Sequence, residues 1–177
     1  VGTEGYARLL RALTETSLVT IAVARGVAAA GGAGLLVACD FAVAAEGLEI
    51  VFPEVRRGLV PAMVSNLLRG KLRDADLREL FLLAEPIDAA RALAIRLVSR
   101  VVAEGSERAE ADRLADLILQ GAPDAVRDTK ALLAELAAAA TSDGPRIARE
   151  YHVRAKLGSE AREGLAAFLE KRPSNWE

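Results

Sequence analysis

The sequence predicts an α/β fold in which short buried strands come first and helices follow. Three observations carry that expectation. The runs LVTIAVA (Leu18–Ala24), FAVAA (Phe41–Ala45) and LEIVF (Leu48–Phe52) are short and apolar, bounded by turn formers and glycine, as buried strands are. A small-residue loop and a short helix separate the first two, which suits a crossover between parallel strands. From Val64 onward, apolar residues recur almost wholly at helical spacing.

The elements follow in order. Tyr6, Leu9, Leu10 and Leu13 form one face of an amphipathic helix over Tyr6–Thr14. After the first strand, Val27–Gly34 reads as a loop running into a short helix, Leu35–Cys39, that ends near Asp40. Pro53-Glu54 turns the chain out of the third strand into a segment with Gly58 and Pro61. Leu67, Leu68, Leu72, Leu77, Leu80, Phe81 and Leu83 then recur at helical spacing. Asp88 is placed to cap the helix DAARALAIRL. Val98–Val102 is a last extended segment, followed by helices over Glu107–Leu119 and Pro123–Ala139, with Pro123 in a first turn. A final helical stretch spans Gly144–Lys171. The front of the chain is thus βαββ, and no internal repeat or linker interrupts it.

Composition narrows the function. Hydrophobic residues make up 52% of the 177 residues and aromatics only 4%, so the core is built from Ala, Leu and Val. A net charge of −2 supplies no basic face for nucleic acid or an anionic membrane surface. No apolar run reaches the ~20 residues of a membrane span. Cys39 is the only cysteine, which precludes an intrachain disulfide and suits a reducing compartment.

Two features could carry chemistry. In AAAGGAGLLVACD, glycines between a strand and a helix let another molecule approach the backbone, and free N–H groups there can hold an anion or a developing oxyanion. The same segment also reads as a tightly packed strand-to-helix connection. It is a poor dinucleotide fingerprint, because Val37 stands where the third glycine of G-x-G-x-x-G belongs, and no Gly-Lys-Ser/Thr follows to make a phosphate loop. The second feature is Glu54. At the end of an apolar strand it can serve proton transfer, or it can be a solvated carboxylate paired with Arg56 or Arg57. His152 has no triad or metal partners in the sequence, Cys39 lies in an apolar helix, and Ser65 has no nucleophile motif.

Taken together, RGVAAAGGAGLLVACDFAVA, FPEVRRGLVPA, ELFLLAEPIDAARALAIRLVSRVV and AFLEKRPSNW resemble the crotonase (enoyl-CoA hydratase/isomerase) superfamily in order and spacing. The resemblance covers Leu18 to Trp176 and is nearest a bacterial methylglutaconyl-CoA hydratase-like subgroup. It implies a crotonase-like spiral of ββα turns, part of it over residues 1–105, then a helical C-terminal trimerisation region over 106–177. It implies addition of water to the double bond of a 2-enoyl-CoA thioester, with two alternatives: movement of that double bond by a single glutamate, or a crotonase-like protein that binds acyl-CoA with little activity. Gly31 then falls where a backbone N–H holds the thioester oxygen, Glu54 where the proton-transfer glutamate stands, and Gly34 where hydratases carry a second glutamate. Ala29, Ala30, Gly32 and Pro61 fall in the acyl-CoA-binding segments. Phe168 and Lys171, beside Arg172, lie on a C-terminal helix that in the family often reaches a neighbouring subunit's coenzyme A. Arg96 replaces a glycine usual at a helix–strand corner. The resemblance implies a cytoplasmic homotrimer or dimer of trimers, with coenzyme A as part of the substrate and no metal or other cofactor. Members of the superfamily are longer at the N-terminus, where the first oxyanion donor lies. The chain starts at Val1 with Met63 as its only methionine, and Thr14–Leu18 lacks the usual proline-bearing approach to the strand. A missing N-terminal portion is therefore expected.

Overall fold

The computed structural model describes residues 2–176. They fall into two compact units, Val1–Ala115 and Asp116–Glu177.

The first unit opens with α1 (Thr3–Glu15), whose apolar face buries Leu10. Two strands follow, β1 (Ile21–Ala24) and β2 (Val27–Ala29), joined through Gly26 at φ +72°. Next come α2 (Gly31–Ala38), β3 (Phe41–Ala45) and β4 (Glu49–Val51). The succession is therefore ββα and then ββ, not the βαββ read from the sequence. Val27–Ala29 was legible only as loop because three small residues carry little strand signal. Their parallel pairing with β4 makes the strand. The helix likewise starts at Gly31, four residues earlier than expected, so the glycines form its first turn.

Two three-stranded sheets result. One is wholly parallel, in the order β1-β3-β6, with β6 at Arg100–Val102. Its central strand is buried on both faces, and Val43, Ala44 and Ala45 have no exposure. Such a strand reads as a continuous apolar run, which FAVAA is. The other sheet has the order β2-β4-β5, where β5 (Ile87–Asp88) is antiparallel to β4. Between the sheets and helices lies a core of Leu36, Val37, Leu48, Ile50, Phe52, Leu68 and Leu80. Phe52 meets Phe81 edge-on at 5.2 Å between ring centroids. That geometry is favourable for two rings.

The expected helical run from Val64 to Leu83 is divided into α3 (Ala62–Leu68), α4 (Asp74–Arg78) and a π-helical turn over Glu79–Leu83. Buried Asp76 ties α4 to the next helix, accepting hydrogen bonds from Arg73 (2.8 Å) and Arg91 (3.0 Å). These two guanidinium groups hold the Asp76 carboxyl below its ordinary pKa. Asp88 caps that helix, α5 (Ala89–Ala94), as expected, accepting the Arg91 N–H at 2.7 Å.

Helix α5 ends in a Schellman motif. The Leu97 N–H reaches Ala92 O (2.8 Å) and the Arg96 N–H reaches Leu93 O (3.0 Å). Arg96 sits in the left-handed region at φ +65°. The corner that glycine usually makes is thus retained by an arginine, at a backbone cost of roughly 1 kcal/mol. The first turns of α6 (Glu107–Leu119) close the unit by packing Ala111 and Leu114 on Val43.

The second unit contains α7 (Pro123–Ala138), α8 (Gly144–Leu157) and α9 (Ser159–Glu170). The single stretch expected over Gly144–Lys171 is broken at Gly158, whose extended backbone (φ −71°, ψ 162°) separates α8 from α9. Glu160 caps α7 by accepting the N–H groups of Asp124 (2.7 Å) and Ala125 (2.8 Å). The C-terminus folds back: Trp176 donates its indole N–H to Gln120 O, and Glu163 accepts from Arg172 and from the Asn175 N–H. Arg172 first, then that N–H, lowers the Glu163 carboxyl to a pKa of about 2. Much apolar surface stays open in this unit, including Leu119, Leu157, Leu165, Phe168 and Leu169.

Candidate active site

The site begins where β2 runs into α2. The Ala30 N–H donates to Val51 O at 3.0 Å, which extends the β2–β4 pairing by one residue. The backbone then turns sharply at Ala30, with φ 49° and ψ −116°, a combination that L side chains rarely adopt. Strain of this kind costs about 1–3 kcal/mol and persists only where neighbours impose it. Here two neighbours do: the ladder bond to Val51 and the first helical bond, from the Gly34 N–H to Ala30 O (3.0 Å).

Gly31 and Gly32 are the first helical residues, so their N–H groups have no acceptor within the helix. Gly31 is half-buried and Gly32 exposed. Two unpaired N–H groups at the positive end of a helix can hold a developing negative charge.

Glu54 follows β4 and opens a 3₁₀ turn, Glu54–Arg57. Gly58, at φ +69°, closes that turn, and the Leu59 N–H returns to Glu54 O at 3.0 Å. One Glu54 carboxylate oxygen, Oε2, is buried and has no hydrogen-bond partner among the described residues. The alternative pairing with Arg56 or Arg57 is not seen among the described residues, and Arg56 reaches across to Leu83 O at 3.0 Å. A buried carboxylate oxygen with nothing bonded to it costs stability. An unpaired buried polar atom in a folded chain calls for an explanation, and a catalytic role is one.

Tyr6 joins these two parts. From α1 its hydroxyl donates to Gly31 O at 2.9 Å, and its ring lies against Gly31. A β-carbon added at Gly34 would lie 1.9 Å from the Tyr6 hydroxyl oxygen and 2.9 Å from Val64 Cγ2. Position 34 is therefore a glycine because Tyr6 occupies its side-chain space. Burial first, and then the nearby Glu54 carboxylate, raise the Tyr6 phenol above its ordinary pKa. Sequence reading placed Tyr6 only on an apolar helix face. The available signal was its hydroxyl, since a buried tyrosine needs a polar partner for its O–H.

The remaining positions divide clearly. The first unit brings together Ala29, Ala30, Gly31, Gly32, Gly34 and Glu54 along the β2–α2 and β4 ends. Pro61 is buried; it starts α3, and its carbonyl accepts both the Ser65 N–H (2.8 Å) and the Ser65 hydroxyl (2.7 Å). It sets the helix that brings Val64 against Gly34. Phe168 (79% exposed) and Lys171, which ends α9 at φ 55°, belong to the second unit. Arg172 is engaged by Glu163 and Glu170. Cys39 directs its thiol to Leu35 O, and His152 is exposed on α8. Among the described residues no group of three or more His, Cys, Asp or Glu could hold a metal, and no helix is long and apolar enough to cross a membrane.

Comparison with known proteins matches this arrangement to one family. The enoyl-CoA hydratase/isomerase family model matches residues 2–177. A Thermus thermophilus relative named for enoyl-CoA hydratase is 36% identical over 154 residues, covering 87% of this chain and 61% of its own length. The carnitinyl-CoA dehydratase of Proteus mirabilis is 29% identical, covering 99% and 69%. A crystal structure of an enoyl-CoA hydratase from Polaromonas superposes with a TM-score of 0.92 at 32% identity, covering 98% of this chain and 68% of that one. The chain spans about three fifths of the length of the first curated relatives it matches.

The contact between Tyr6 and Gly34 makes a direct stability prediction. Gly34→Ala should destabilise the protein by about 1–3 kcal/mol in denaturant unfolding, despite alanine's better helix propensity, because it displaces the Tyr6 hydroxyl from Gly31. In a Tyr6→Ala background the same change should cost little, and the difference measures the coupling.

Proposed function

The chain belongs to the enoyl-CoA hydratase/isomerase family, and on that premise we propose that it adds water across the double bond of a 2-enoyl-CoA thioester. The buried, unpartnered Oε2 of Glu54 carries the proposal. Adding a nucleophile at C3 of an enoyl thioester moves the π electrons onto the thioester oxygen. The barrier falls if that oxygen is held by preorganised donors, a role suited to the Gly31 N–H at the start of α2. Glu54 takes a proton from water as its oxygen attacks C3, then delivers that proton to C2 as the enolate collapses. No step requires a metal or redox cofactor, and coenzyme A enters as part of the substrate. Ala29, Ala30 and Gly32 would border the acyl-CoA beside Gly31.

A second reading rests on Gly34, which provides no second carboxylate. Movement of a double bond needs one base, which removes a proton from C2 of a 3-enoyl-CoA and returns it at C4. Glu54 can serve either reaction. The similarity to proteins named as hydratases favours hydration.

We also propose that the chain works in the cytoplasm as a homotrimer or a dimer of trimers. Leu165, Phe168 and Leu169 on α9 are 63%, 79% and 79% exposed, an apolar surface that a neighbouring subunit would cover. Phe168 and Lys171 on the same helix would then lie close to a neighbour's acyl-CoA.

Glu54→Gln should lower kcat on crotonyl-CoA, and on a 3-enoyl-CoA if it is turned over, by a factor on the order of 10² to 10⁴. Acyl-CoA binding should barely change, and near-full activity on both substrates would remove Glu54 from the mechanism. Light scattering at micromolar concentration should give a trimer or a multiple of it, whereas a stable monomer would contradict the proposed assembly.

A further inference from the structure

One hydroxyl near Glu54 has no role in the hydration steps, and its setting is specific. The Tyr6 oxygen is fixed at three sides. Its proton goes to Gly31 O at 2.9 Å, its ring rests on Gly31, and the missing side chain of Gly34 leaves the space it fills. With the proton committed to Gly31, the oxygen presents only lone pairs to its remaining surroundings. Ala29 pairs with Val51, so Gly31 and Glu54 follow two neighbouring strand ends, and the Glu54 carboxylate acts electrostatically on the Tyr6 phenol.

Hydration sets a requirement that one carboxylate does not meet. An attacking water has two hydrogens and must aim one lone pair at C3. Glu54 takes one hydrogen; the other needs an acceptor, or the water rotates freely and attack is misdirected. Resting on the hydratase reading, we propose that the Tyr6 hydroxyl is a water-positioning residue: it accepts the second hydrogen of the water that Glu54 activates. In the step, one water O–H bond breaks and its proton passes to Glu54. The water oxygen forms the C3–O bond, and the C2=C3 π pair moves to the thioester oxygen. The enolate then takes the proton from Glu54 at C2. The hydrogen bonded to Tyr6 stays on oxygen throughout and becomes the hydroxyl hydrogen of the 3-hydroxyacyl product. Tyr6 exchanges no proton, which suits a phenol that stays neutral.

Double-bond migration uses no water and therefore no Tyr6 lone pair. That separates positioning from a merely structural role. In the full chain, Tyr6→Phe keeps the ring against Gly31 and removes only the oxygen. It should lower kcat for crotonyl-CoA hydration about 10- to 100-fold. Isomerisation of a 3-enoyl-CoA should change by less than about threefold, since the base and the oxyanion donor remain. Hydration retained within about twofold, or an equal fall in both reactions, would overturn the proposal. A wild-type chain that leaves crotonyl-CoA unhydrated would bring down the hydratase reading itself, and this proposal with it. Should Tyr6→Phe fail to fold, 3-fluorotyrosine at position 6 decides, because it keeps the ring and the hydroxyl but weakens the oxygen as an acceptor. A fall in hydration at least about threefold greater than the fall in isomerisation supports water positioning, and an equal effect on both reactions rejects it.

Discussion

The packing of the Tyr6 ring on the first turn of α2 is the contact on which the arrangement of the site depends. It requires that Gly34 carry no side chain and that Gly31 let the ring approach. It also joins α1 to the helix whose first N–H groups the proposal assigns to the thioester oxygen. The strained turn at Ala30, the ladder bond to Val51 and the burial of Ala33 and Gly34 hold the rest of that helix start. The parallel pairing of β2 with β4 does the complementary work. It brings the end of one strand, at Ala29, beside the end of the other, at Val51. The helix start and Glu54 therefore leave the sheet at the same end of its parallel strands.

Local strain obeys the same logic. Ala30 and Arg96 both hold backbone conformations that glycine would adopt more cheaply. At Arg96 the return is structural, since the Schellman bonds end α5 and turn the chain toward β6. At Ala30 the turn leaves the Gly31 N–H outside the ladder and ahead of the helix, where the proposed reaction calls for a donor. Strain held by two opposed hydrogen bonds is a rigid device, and a rigid donor stabilises charge without reorganising. The orphaned Glu54 oxygen is a third unfavourable feature in the first unit. Its carboxylate acts electrostatically on Tyr6, whose hydroxyl is bonded to Gly31.

Much of this was legible in the sequence, and the limits were physical. Long or β-branched runs declared themselves, so Phe41–Ala45 and the Asp88 cap stand where patterning placed them. Gly31 and Glu54 could be named because a family resemblance fixed their register. Val27–Ala29 could not be read as a strand, since its conformation comes from pairing with Glu49–Val51, distant in sequence. The break at Gly158 was hidden because one glycine inside a helical pattern is ordinarily tolerated. Tyr6 was invisible as a site residue for a related reason. Nothing local distinguishes a tyrosine packed on a helix from one whose hydroxyl fills the space above Gly34. Only the tertiary contact tells them apart.

The two proposed reactions, hydration and double-bond migration, share one elementary event, proton transfer at C2 of a thioester, which the proposal assigns to Glu54 with the enolate oxygen held at the start of α2. A saturated acyl-CoA, which can be neither hydrated nor isomerised, isolates that event. Incubated with the protein in deuterium oxide and followed by proton NMR, butyryl-CoA should lose its C2 proton signal much faster than in buffer. Enhanced exchange would place enolate chemistry in this chain. Butyryl-CoA that binds yet exchanges no faster than in buffer would contradict it, and would leave the Gly31 turn and Glu54 as parts of a thioester-binding scaffold.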